Sequence, residues 1–597
     1  MMTKFNDQQL EAINFYKGAM GVIAGAGSGK STVLINRIKT LVETHEVNGH
    51  DILAISFTKN TADELKSKLN KLGLKDINIG TFHAICSRIL AAEGIFINGQ
   101  NLIKEWQVEN LFKNMLEKPD INDITSYISY QKNYMRYPTD EFVYKESIYT
   151  EEEIRCLYKT YEEYKQKNML YDFDDYLLLA YEVLKNNPSK YTYEFILVDE
   201  HQDSNLVQNL LLKELCQSGN LFVVFDYRQA IYSFRGGNPD YAMNFEKDWD
   251  NATMINLDVN YRSVSNVVDN ANRFIKKYYG TYEHYADAIP FNKNNGEIKG
   301  NTYLNRDIEG EKIVEEIENK IKSGVNPSQI CVLYRLNSHS FNVECELKRK
   351  GIEYEITNDS SFFKRKEING LLGYLRLIHN PFDDSAFEDI FRLRNYPLSY
   401  FSNNVLNDIK KYSGENDLSL YESMINMKFD KPWQNKNVEV FENGINKLRL
   451  QNEKGTTVTR LIENIVRTFQ VDKFIQSKYS NAEELEDRMN SIDVLKSFVK
   501  GNNLEQFIAY VYSSNTKKKS KKNCVKLMSL HASKGLEFEY VYMIGIEDGK
   551  FPHYKSELLD EVRLWYVGIT RSKENLYISQ IGEGNQFVDE YFGKSVI

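Results

Sequence analysis

The 597-residue sequence has no long hydrophobic run. No window reaches the roughly 18 consecutive apolar residues that a membrane-spanning helix needs. The first residues, MMTKFNDQQLEAINFYKG, lack the apolar core of a signal peptide. These two absences predict a location in the cytoplasm and no membrane partner. A hydrophobic content of 42% predicts a folded, soluble protein, and a length beyond that of one core predicts several domains.

Cysteine is also scarce. The six cysteines lie far apart and form no C-x-x-C pair, which disfavours a zinc site or a redox motif. We expect all six thiols to be reduced and structural. They are Cys86, Cys156, Cys216, Cys331, Cys345 and Cys524.

A strong charge of one sign is missing as well. The net charge of -9 excludes a globally basic nucleic-acid binder, but it leaves room for a locally basic groove. Aromatic residues, in contrast, are abundant, with 40 tyrosines and 32 phenylalanines. Most of them belong in a core, and only their positions can identify those that stack on bases.

A glycine-rich loop, AGAGSGKS, follows the apolar run 21–23 and precedes a helical pattern. Strand, loop and helix in this order are typical of a Walker A loop, whose backbone N–H groups bind phosphate at a helix N-terminus. Lys30 would add charge at the β and γ phosphates, and Ser31 would offer its hydroxyl to Mg²⁺. The predicted nucleotide-binding residues here are Ala24, Gly25, Ala26, Gly27, Ser28, Gly29, Lys30, Ser31 and Thr32.

Two acids follow the apolar run FILV at 195–198. Such a run is typical of a buried parallel strand, so Asp199 and Glu200 fall at the edge where α/β sheets bind ligands. We predict that Asp199 holds Mg²⁺, directly or through water, and that Glu200 orients and deprotonates the attacking water. His201, which follows, suggests a metal site by itself, but the phosphate loop makes that role unnecessary.

A phosphate loop and an acid pair would also suit a small-molecule kinase or a GTPase. Seven further stretches decide against that alternative, because in their order they resemble the motifs of the UvrD/Rep/PcrA family of superfamily 1 DNA helicases. The resemblance extends over nearly the whole chain. The stretches are FNDQQ (5–9), ISFTKN (55–60), GTFH (80–83), FDYRQAIYSFRGG (225–237), NYRS (260–263), SLHASKGLEF (529–538) and WYVGITR (565–571).

The resemblance implies an ATP site. Gln9 would pair with the adenine edge, Tyr261 would stack on the adenine, and Glu537 would accept a hydrogen bond from the ribose. Gln229 would sense the γ-phosphate. Two arginines across a cleft would neutralise charge on the transferred phosphoryl, an effect of about 10³–10⁵ in rate. The predicted catalytic residues are Lys30, Asp199, Glu200, Gln229, Arg262 and Arg571.

The resemblance also implies a track for single-stranded DNA that extends to single-strand/duplex junctions. Tyr232 and Phe234 would offer planar faces to bases, worth about 1–3 kcal/mol per stacked base whatever the sequence. Phe234 stands where the family often has tryptophan, and His201 where it usually has tyrosine or another residue. The predicted DNA-contacting residues are Phe57, Thr81, His83, Tyr232, Phe234, His531 and Lys534.

The predicted fold class is α/β, with two RecA-like lobes of parallel sheet flanked by helices and two mainly helical insertions. Thr61-x-x-Glu64 has the pattern of a capping box and predicts a helix start. Strands are predicted at 221–226, 330–335, 524–530, 540–546 and 575–580. The predicted domains are lobe 1A at 1–92 and 190–272, insertion 1B at 93–189, lobe 2A at 273–378 and 524–597, and insertion 2B at 379–523.

Two charged stretches lie outside these motifs. The sequence YDFDD at 171–175 is reminiscent of a nuclease, but we interpret its acids as a helix start with a structural role. The basic run Lys517–Lys522 fits a solvated loop or linker, and the alternative is a contact with duplex DNA that weakens as salt rises.

The leading hypothesis is an ATP-driven helicase and translocase that moves 3′→5′ on single-stranded DNA, as a monomer, in replication, repair or recombination. The alternative is a DNA-stimulated ATPase subunit that senses DNA or activates a partner nuclease, as in Gabija-type phage defence, with little unwinding of its own. A protein partner would then exist, and the sequence does not identify it.

Overall fold

The computed structural model describes residues 5–593, apart from 114, 117–118, 358–361, 480–481, 500, 502, 513–522 and 555, and apart from the side chains of 482–484 and 486. The basic run Lys517–Lys522 lies outside the described residues, so both interpretations of it stay predictions. No helix in the described part of the chain is long and apolar enough to cross a membrane.

The first lobe is built on a six-stranded sheet in which every neighbouring pair is parallel. Its strand order is β3-β2-β4-β5-β1-β6, so the chain segments after β1, β4 and β5 emerge side by side at one edge. The strands are β1 Met20–Ala24, β2 Ile52–Ile55, β3 Asn78–Gly80, β4 Phe195–Val198, β5 Leu221–Phe225 and β6 Thr253–Leu257.

Helices cover both faces of this sheet, which is why β1, β2, β4 and β5 consist almost entirely of buried apolar residues. The helices up to the second lobe are α1 Asp7–Asn14, α2 Lys30–Glu43, α3 Lys59–Lys71, α4 Phe82–Ala92, α5 Glu105–Lys113, α6 Ile121–Asn133, α7 Glu151–Asn168, α8 Phe173–Asn186, α9 Leu206–Leu215, α10 Asp240–Met243, α11 Phe245–Asp248 and α12 Ser265–Tyr279.

Helix α3 begins earlier than predicted. Thr58 is its N-cap, and Thr61 completes the capping box as the third helical residue. The expectation that Thr61 opens the helix is therefore wrong, because the hydroxyl of Thr58 accepts the free N–H of Thr61 at 3.2 Å.

The second lobe contains another six-stranded parallel sheet, in the order β11-β12-β10-β13-β14-β9. A separate parallel ribbon, β7 with β8, lies between the two sheets in the chain. All five predicted strands are confirmed. The strands are β7 Val259–Val264, β8 Ile289–Asn292, β9 Ile298–Tyr303, β10 Ile330–Tyr334, β11 Tyr354–Ile356, β12 Val525–Ser529, β13 Phe538–Ile546 and β14 Ser572–Ile581.

Helices α13, α14, α24 and α25 accompany the second sheet, and α15 to α23 form a helical body. Their bounds are α13 Arg306–Lys322, α14 Phe341–Arg349, α15 Lys366–His379, α16 Asp384–Leu393, α17 Asn403–Asn416, α18 Leu420–Asn426, α19 Pro432–Glu453, α20 Val458–Thr468, α21 Val471–Lys478, α22 Ala482–Phe498, α23 Leu504–Tyr512, α24 Leu558–Ile569 and α25 Gln586–Phe592.

The two helical insertions have cores of their own. Helices α5 to α7 bury one apolar cluster, and α15 to α23 bury a second, larger one. Helix α15 belongs to the second cluster because Gly370 and Gly373 let it approach Leu393 and Ile390 of α16. This packing favours a limit of insertion 2B before α15, while the other domain limits stay predictions.

Candidate ATPase site and nucleic-acid groove

The phosphate loop joins β1 to α2 through two glycines in the left-handed region, Gly27 at φ +71° and Gly29 at φ +88°. A Cβ atom on Gly27 would stand 2.6 Å from the Cβ of Arg262, so only glycine allows the loop to approach β7 this closely. The backbone N–H of Tyr261 donates to the carbonyl of Gly27 at 2.9 Å. The Lys30 ammonium donates to the carbonyl of Ala24 at 2.9 Å, which keeps its charge over the loop.

This loop forms one wall of a cavity of about 340 Å³ between the two lobes. The structure brings most of the predicted nucleotide residues to this cavity. Gly535, which sequence reasoning left out, also lines it at a φ of +85°. The signal available in the sequence was the glycine that ends SKG. The lining residues are Gly25, Ala26, Gly27, Ser28, Gly29, Lys30, Ser31, Thr32, Glu200, Gln229, Tyr261, Arg262, Gly535, Glu537 and Arg571.

Gln9 lies behind this wall and is buried. Its amide nitrogen donates to the carbonyl of Ser28 at 3.1 Å, and its amide oxygen accepts the backbone N–H of Asn6 at 3.2 Å. The side chain therefore supports the phosphate loop and caps α1 at the same time. Its pairing with adenine stays a prediction.

The acid pair occupies the carboxyl end of β4. Burial, and then the negative charge of Glu200, raise the pKa of the Asp199 carboxyl to about 7, against the opposing charge of Lys30. Burial would raise the pKa of Glu200 too, but the positive charges of Lys534 and Lys30 outweigh it and lower that pKa. The pKa values of the two neighbouring carboxyls are thus pushed apart, which favours the ionised form of Glu200 over that of Asp199.

Two arginines face the loop from β7 and from the end of α24. The Arg262 guanidinium donates to the Glu537 carboxylate at 2.7 Å and to the carbonyl of Thr570 at 3.1 Å. Among the described residues, the hydrogen-bond acceptors of Arg571 are all uncharged, including the carbonyl of Val567 at 2.9 Å. Burial, and then the positive charge of Arg262, lower the pKa of Arg571 to about 9. Arg262 and Arg571 thus lie close together, and no carboxylate neutralises Arg571 among the described residues. This arrangement favours binding of an anion between the two guanidinium groups.

A chain of hydrogen bonds links the Glu200 carboxylate to the Arg571 guanidinium. The amide of Gln202 donates to Glu200 at 2.5 Å and accepts the backbone N–H of Asp226 at 3.0 Å. The Asp226 carboxylate accepts the amide of Gln229 at 2.6 Å. Gln229 in turn accepts a hydrogen bond from Arg571 at 2.9 Å. The first lobe and the second are therefore joined through the acid end of β4 and the segment after β5.

Lys534 lies in this interface and not in the groove where the resemblance places it. Its ammonium forms an ion pair with Asp203, lies 3.6 Å from Glu200 and donates to the carbonyl of Gln229 at 2.8 Å. It reaches the groove only indirectly, 5.2 Å from the ring centre of Tyr232. Two acceptors, Asp203 and the Gln229 carbonyl, and the nearby charge of Glu200 hold the ammonium inside the protein, so in this conformation Lys534 is not available to a DNA phosphate.

Aromatic side chains from three segments meet in a row. Phe57 stacks on Tyr232 with ring centres 5.2 Å apart and planes 21° apart. Tyr232 contacts Phe234, which meets the edge of His531 at 5.9 Å. The Arg235 guanidinium lies 5.4 Å from the ring of Phe234, which is 48% exposed. The row supplies apolar faces beside a fixed positive charge, as binding of single-stranded nucleic acid requires.

Two of these rings, Phe57 and Phe234, line a groove of about 410 Å³ between the first lobe and insertion 1B. Phe57, Thr81, His83 and Phe234 line it as predicted residues that the structure brings together. The rest of the lining consists of Phe82, Asp174, Leu177, Asp203 and Arg235, together with polar side chains on α6 and at the start of α9. No motif pointed to these polar side chains, because they stand on helices without nucleotide signatures. These residues are Ser126, Ser129, Tyr130, Asn133, Asn205 and Gln208.

His83 in the groove wall and His531 at the edge of Phe234 both have lowered pKa values, which favour the neutral imidazole at neutral pH. Burial lowers the pKa of His83, and burial followed by the charge of Arg335 lowers that of His531 to about 4. Thr81 has two roles, since its hydroxyl caps α4 by accepting the N–H of Ala84 and its side chain lines the groove. These residues can contact DNA by hydrogen bonding and stacking, without adding charge.

The acidic stretch at 171–175 has the structural role predicted for it. Asp172 caps α8, and its carboxylate accepts hydrogen bonds from Lys132 and Lys165, each at 2.7 Å. Asp175 also binds both ammonium groups. The two buried lysines tie α6 and α7 to the start of α8, and so fix the outer wall of the groove.

His201 is a buried neutral residue, 1% exposed. Its Nδ1 lies 3.1 Å from the hydroxyl of Ser204, and its ring meets the edge of Phe245 at 6.3 Å. Burial lowers its pKa to about 4. These contacts are those of a packing residue.

Comparison with known proteins identifies two family domains. The model of the UvrD/REP helicase N-terminal domain matches residues 5–250, and that of the UvrD-like helicase C-terminal domain matches residues 255–583. The ATP-dependent DNA helicase PcrA of Bacillus subtilis (strain 168) is 31% identical over 634 residues, which covers 97% of this chain and 83% of that protein. The ATP-dependent DNA helicase Rep of Buchnera aphidicola is 30% identical over 628 residues, with 98% and 95% covered. The two matched stretches meet at β6, the strand that completes the first sheet.

Proposed function

Since the chain belongs to the UvrD/Rep helicase family, we propose that it is an ATP-dependent helicase that moves 3′→5′ along single-stranded DNA and separates strands at junctions. The observation that carries this proposal is the bonded path from Glu200 through Asp226 to the loop that holds Tyr232 and Phe234. A site that only transferred phosphate would have no need of that path. The proposed translocating species is a monomer in the cytoplasm.

ATP would enter the cavity with its phosphates on the backbone N–H groups of the loop and on Lys30. Glu200 is ionised and faces the cavity, so it is the group that orients the attacking water and accepts its proton. Arg262 and Arg571 would receive the charge that develops on the transferred phosphoryl. Each of these groups lies at the cavity wall before ATP arrives, which lowers the cost of reorganisation in the reaction.

Mg²⁺ fits the residues present. The Ser31 hydroxyl and the Asp199 carboxylate are oxygen donors of the kind that this ion prefers. Burial and the charge of Glu200 raise the pKa of Asp199 against the opposing charges of Lys30 and Lys534, so a further cation beside this carboxyl would stabilise its ionised form. Bound there, the ion would neutralise the phosphate oxygens.

Coupling would begin at Arg571. A γ-phosphate is a stronger acceptor than the amide of Gln229, so it would draw the guanidinium from that amide. Gln229 and Asp226 share a hydrogen bond, and therefore the change would pass to the segment 226–235. The hydroxyl of Ser233 in this segment donates to Asp560 of α24 at 2.6 Å. This hydrogen bond connects the second lobe to the segment that carries the groove aromatics.

A strand-displacement assay with 3′-tailed, 5′-tailed and blunt duplexes tests the proposal. We expect ATP-dependent separation of the 3′-tailed duplex, and none with the K30A variant. Unwinding of the 5′-tailed duplex alone would refute the polarity. An ATPase stimulated by single-stranded DNA without strand separation would instead support the nuclease-activating subunit, and turnover indifferent to DNA would contradict both.

A further inference from the structure

The cavity side chain that presents an aromatic face to a nucleobase, Tyr261, is held by two residues outside the phosphate loop. We propose that Phe291 and Asn6 are positioning residues that preset the ring of Tyr261, and that through it they set the preference of the site for a purine triphosphate. This inference rests on the proposed ATPase function. Phe291 belongs to no motif that marks the nucleotide site, and Asn6 lies in the stretch FNDQQ, where only Gln9 was given a role.

Phe291 contacts the ring of Tyr261 from the neighbouring strand. β7 and β8 pair in parallel, with Val259 opposite Ile289 and Asn260 opposite Pro290. The regular register ends there, with a shift between Asn260 and Val264. In this irregular stretch the ring centres of Tyr261 and Phe291 are 5.0 Å apart, with planes 40° apart. Tyr261 lines the cavity, whereas Phe291 is not part of its wall. Phe291 therefore acts on the ring and not on the ligand.

The exposure of Phe291 separates this contact from ordinary core packing. The side chain is 66% exposed, and that of Tyr261 is 38% exposed. A single exposed phenylalanine is common on protein surfaces and needs no explanation by itself. Here its aromatic contact is with the residue whose ring is expected to stack on the base. A loss of the phenyl ring would release Tyr261 without opening a cavity in the core.

Asn6 holds the other end of Tyr261. Its amide donates to the Tyr261 hydroxyl at 3.0 Å, while its carbonyl oxygen accepts the backbone N–H of Gln9 at 2.8 Å. Gln8 adds a second link from α1 to β7, because it donates to the Asp258 carboxylate at 2.8 Å and accepts the Asp258 backbone N–H at 3.2 Å. The residue predicted to read the adenine edge, Gln9, is thus fastened to the strand that carries the stacking ring.

Such preorganisation affects binding more than chemistry. A ring that is already oriented loses little conformational freedom when a purine stacks on it, so the nucleotide binds more tightly in the ground state and the transition state alike. Loss of a uniform binding interaction raises KM and leaves kcat unchanged. A purine, which has the larger stacking surface, gains more from the fixed ring than a pyrimidine does.

The first test measures ATPase kinetics of the full chain with saturating single-stranded DNA. For F291A we expect KM for ATP to rise about two- to tenfold, the range of one aromatic pair, with kcat unchanged. The ratio of kcat/KM for ATP to that for CTP should fall. F291W should restore both values, because it restores an aromatic neighbour. An unchanged KM in F291A, or a fall confined to kcat, would overturn the proposal.

The second test asks whether Phe291 acts through Tyr261. In a Y261A background, the further change to F291A should leave KM unaltered, since non-additivity is expected when one residue works through another. Equal effects of F291A in both backgrounds would overturn the proposal.

Asn6 has a matched pair of variants of its own. N6S keeps a neutral N-cap for α1 but loses the amide that reaches the Tyr261 hydroxyl, so its KM should rise in the wild-type background and not in Y261F. An equal rise in both would assign Asn6 to the helix alone. Failure of the helicase proposal is distinguishable throughout, because it would show as wild-type turnover that ignores DNA.

Discussion

The guanidinium of Arg571 donates to the side-chain oxygen of Gln229 at 2.9 Å and so closes the cleft between the two lobes. Arg571 comes from the end of α24, and Gln229 from the segment after β5. The acceptor for this buried cation is a neutral amide oxygen, which binds a guanidinium more weakly than a phosphate oxygen does. It defines a state of the cleft that arrival of a triphosphate would disturb.

Removal of this cation should disable chemistry more than binding. For R571A we expect the DNA-stimulated kcat for ATP to fall about 10³-fold or more, the effect of an arginine that stabilises phosphoryl transfer. Binding of ATP, measured separately by a fluorescent analogue, should change far less. R571K is the informative control, since it keeps a charge but not the planar fork that spans Gln229 and a phosphate, and it should recover only part of the rate. Full activity in R571A would remove the residue from the catalytic set.

Lys534 should prove to be an internal link between lobes. Its replacement in K534M leaves the buried carboxylate of Asp203 without its partner, a loss of about 3–5 kcal/mol in unfolding free energy for a broken buried ion pair. Burial already raises the pKa of Asp203 to about 6 against the opposing charge of Lys534. Without the lysine, that folded-state pKa would lie still further above the unfolded value, so stability is retained at low pH and lost as pH rises through it.

Thermal unfolding of K534M between pH 5 and pH 8 is the corresponding measurement. We expect the deficit relative to wild type to grow with pH and to shrink in the double variant K534M/D203N, which carries no unpaired acid. A deficit that is the same at every pH would contradict the ion-pair account. A loss of salt-sensitive DNA affinity with unchanged stability would return Lys534 to the DNA-contacting role.

We expect the groove aromatics to contribute to the affinity for single-stranded DNA, whatever its base sequence. F234A should weaken the affinity for an oligothymidylate by about 1–3 kcal/mol, roughly five- to 150-fold in Kd, whereas F234W should bind as well as wild type. Fluorescence anisotropy with a labelled oligonucleotide measures this directly. Y400A is a matched control, because Tyr400 is an exposed aromatic, at 83%, on the helical insertion and outside the groove. Equal losses in F234A and Y400A would mean that the groove is not the binding site.

The sequence was sufficient to predict that the phosphate loop, the acid pair and Gln229 would converge, because each follows a buried strand. The carboxyl ends of β1, β4 and β5 meet at one edge of a parallel sheet, so the motifs after them had to converge. The row of aromatic side chains that begins with Phe57 and Tyr232 could be predicted only from the family resemblance. Nothing local in the sequence shows that Phe57 would stack on Tyr232, since that contact depends on how two loops leave the sheet.

Helix packing set the limits of prediction elsewhere. The groove wall on α6 was missed because Ser129 and Asn133 have no motif around them, and their role arises from the insertion folding back on the first lobe. The sequence could not identify the partner of Lys534, because a lysine in a DNA motif has two possible partners, a phosphate or an acid across the cleft. Only the position of Asp203 relative to the second lobe decides between them.

The last prediction concerns His201 and the pH dependence of the free energy of unfolding. The direction of this dependence follows from the burial of the imidazole. The pKa of this imidazole falls from 6.5 to about 4 on folding, which corresponds to about 3 kcal/mol of stability. A base with a lowered folded-state pKa contributes that stability above pH 6.5, and the contribution is lost as pH falls toward 4. H201F keeps a ring against Phe245 but has no proton to bind. Its unfolding free energy should therefore decline less than that of wild type between pH 6.5 and pH 4.5.

Urea unfolding of both proteins across that range measures the difference, and DNA-stimulated ATPase at pH 7.5 provides the control. The buried ring is neutral at that pH, and its hydrogen-bond partner among the described residues is Ser204. H201F should therefore keep its DNA stimulation within about twofold, since loss of one neutral hydrogen bond costs little. Parallel declines of the two proteins with pH would mean that the imidazole is not buried as described. A large loss of DNA stimulation would instead make His201 part of the path from Glu200 to the groove, and the histidine in DEHQD would then be functional after all.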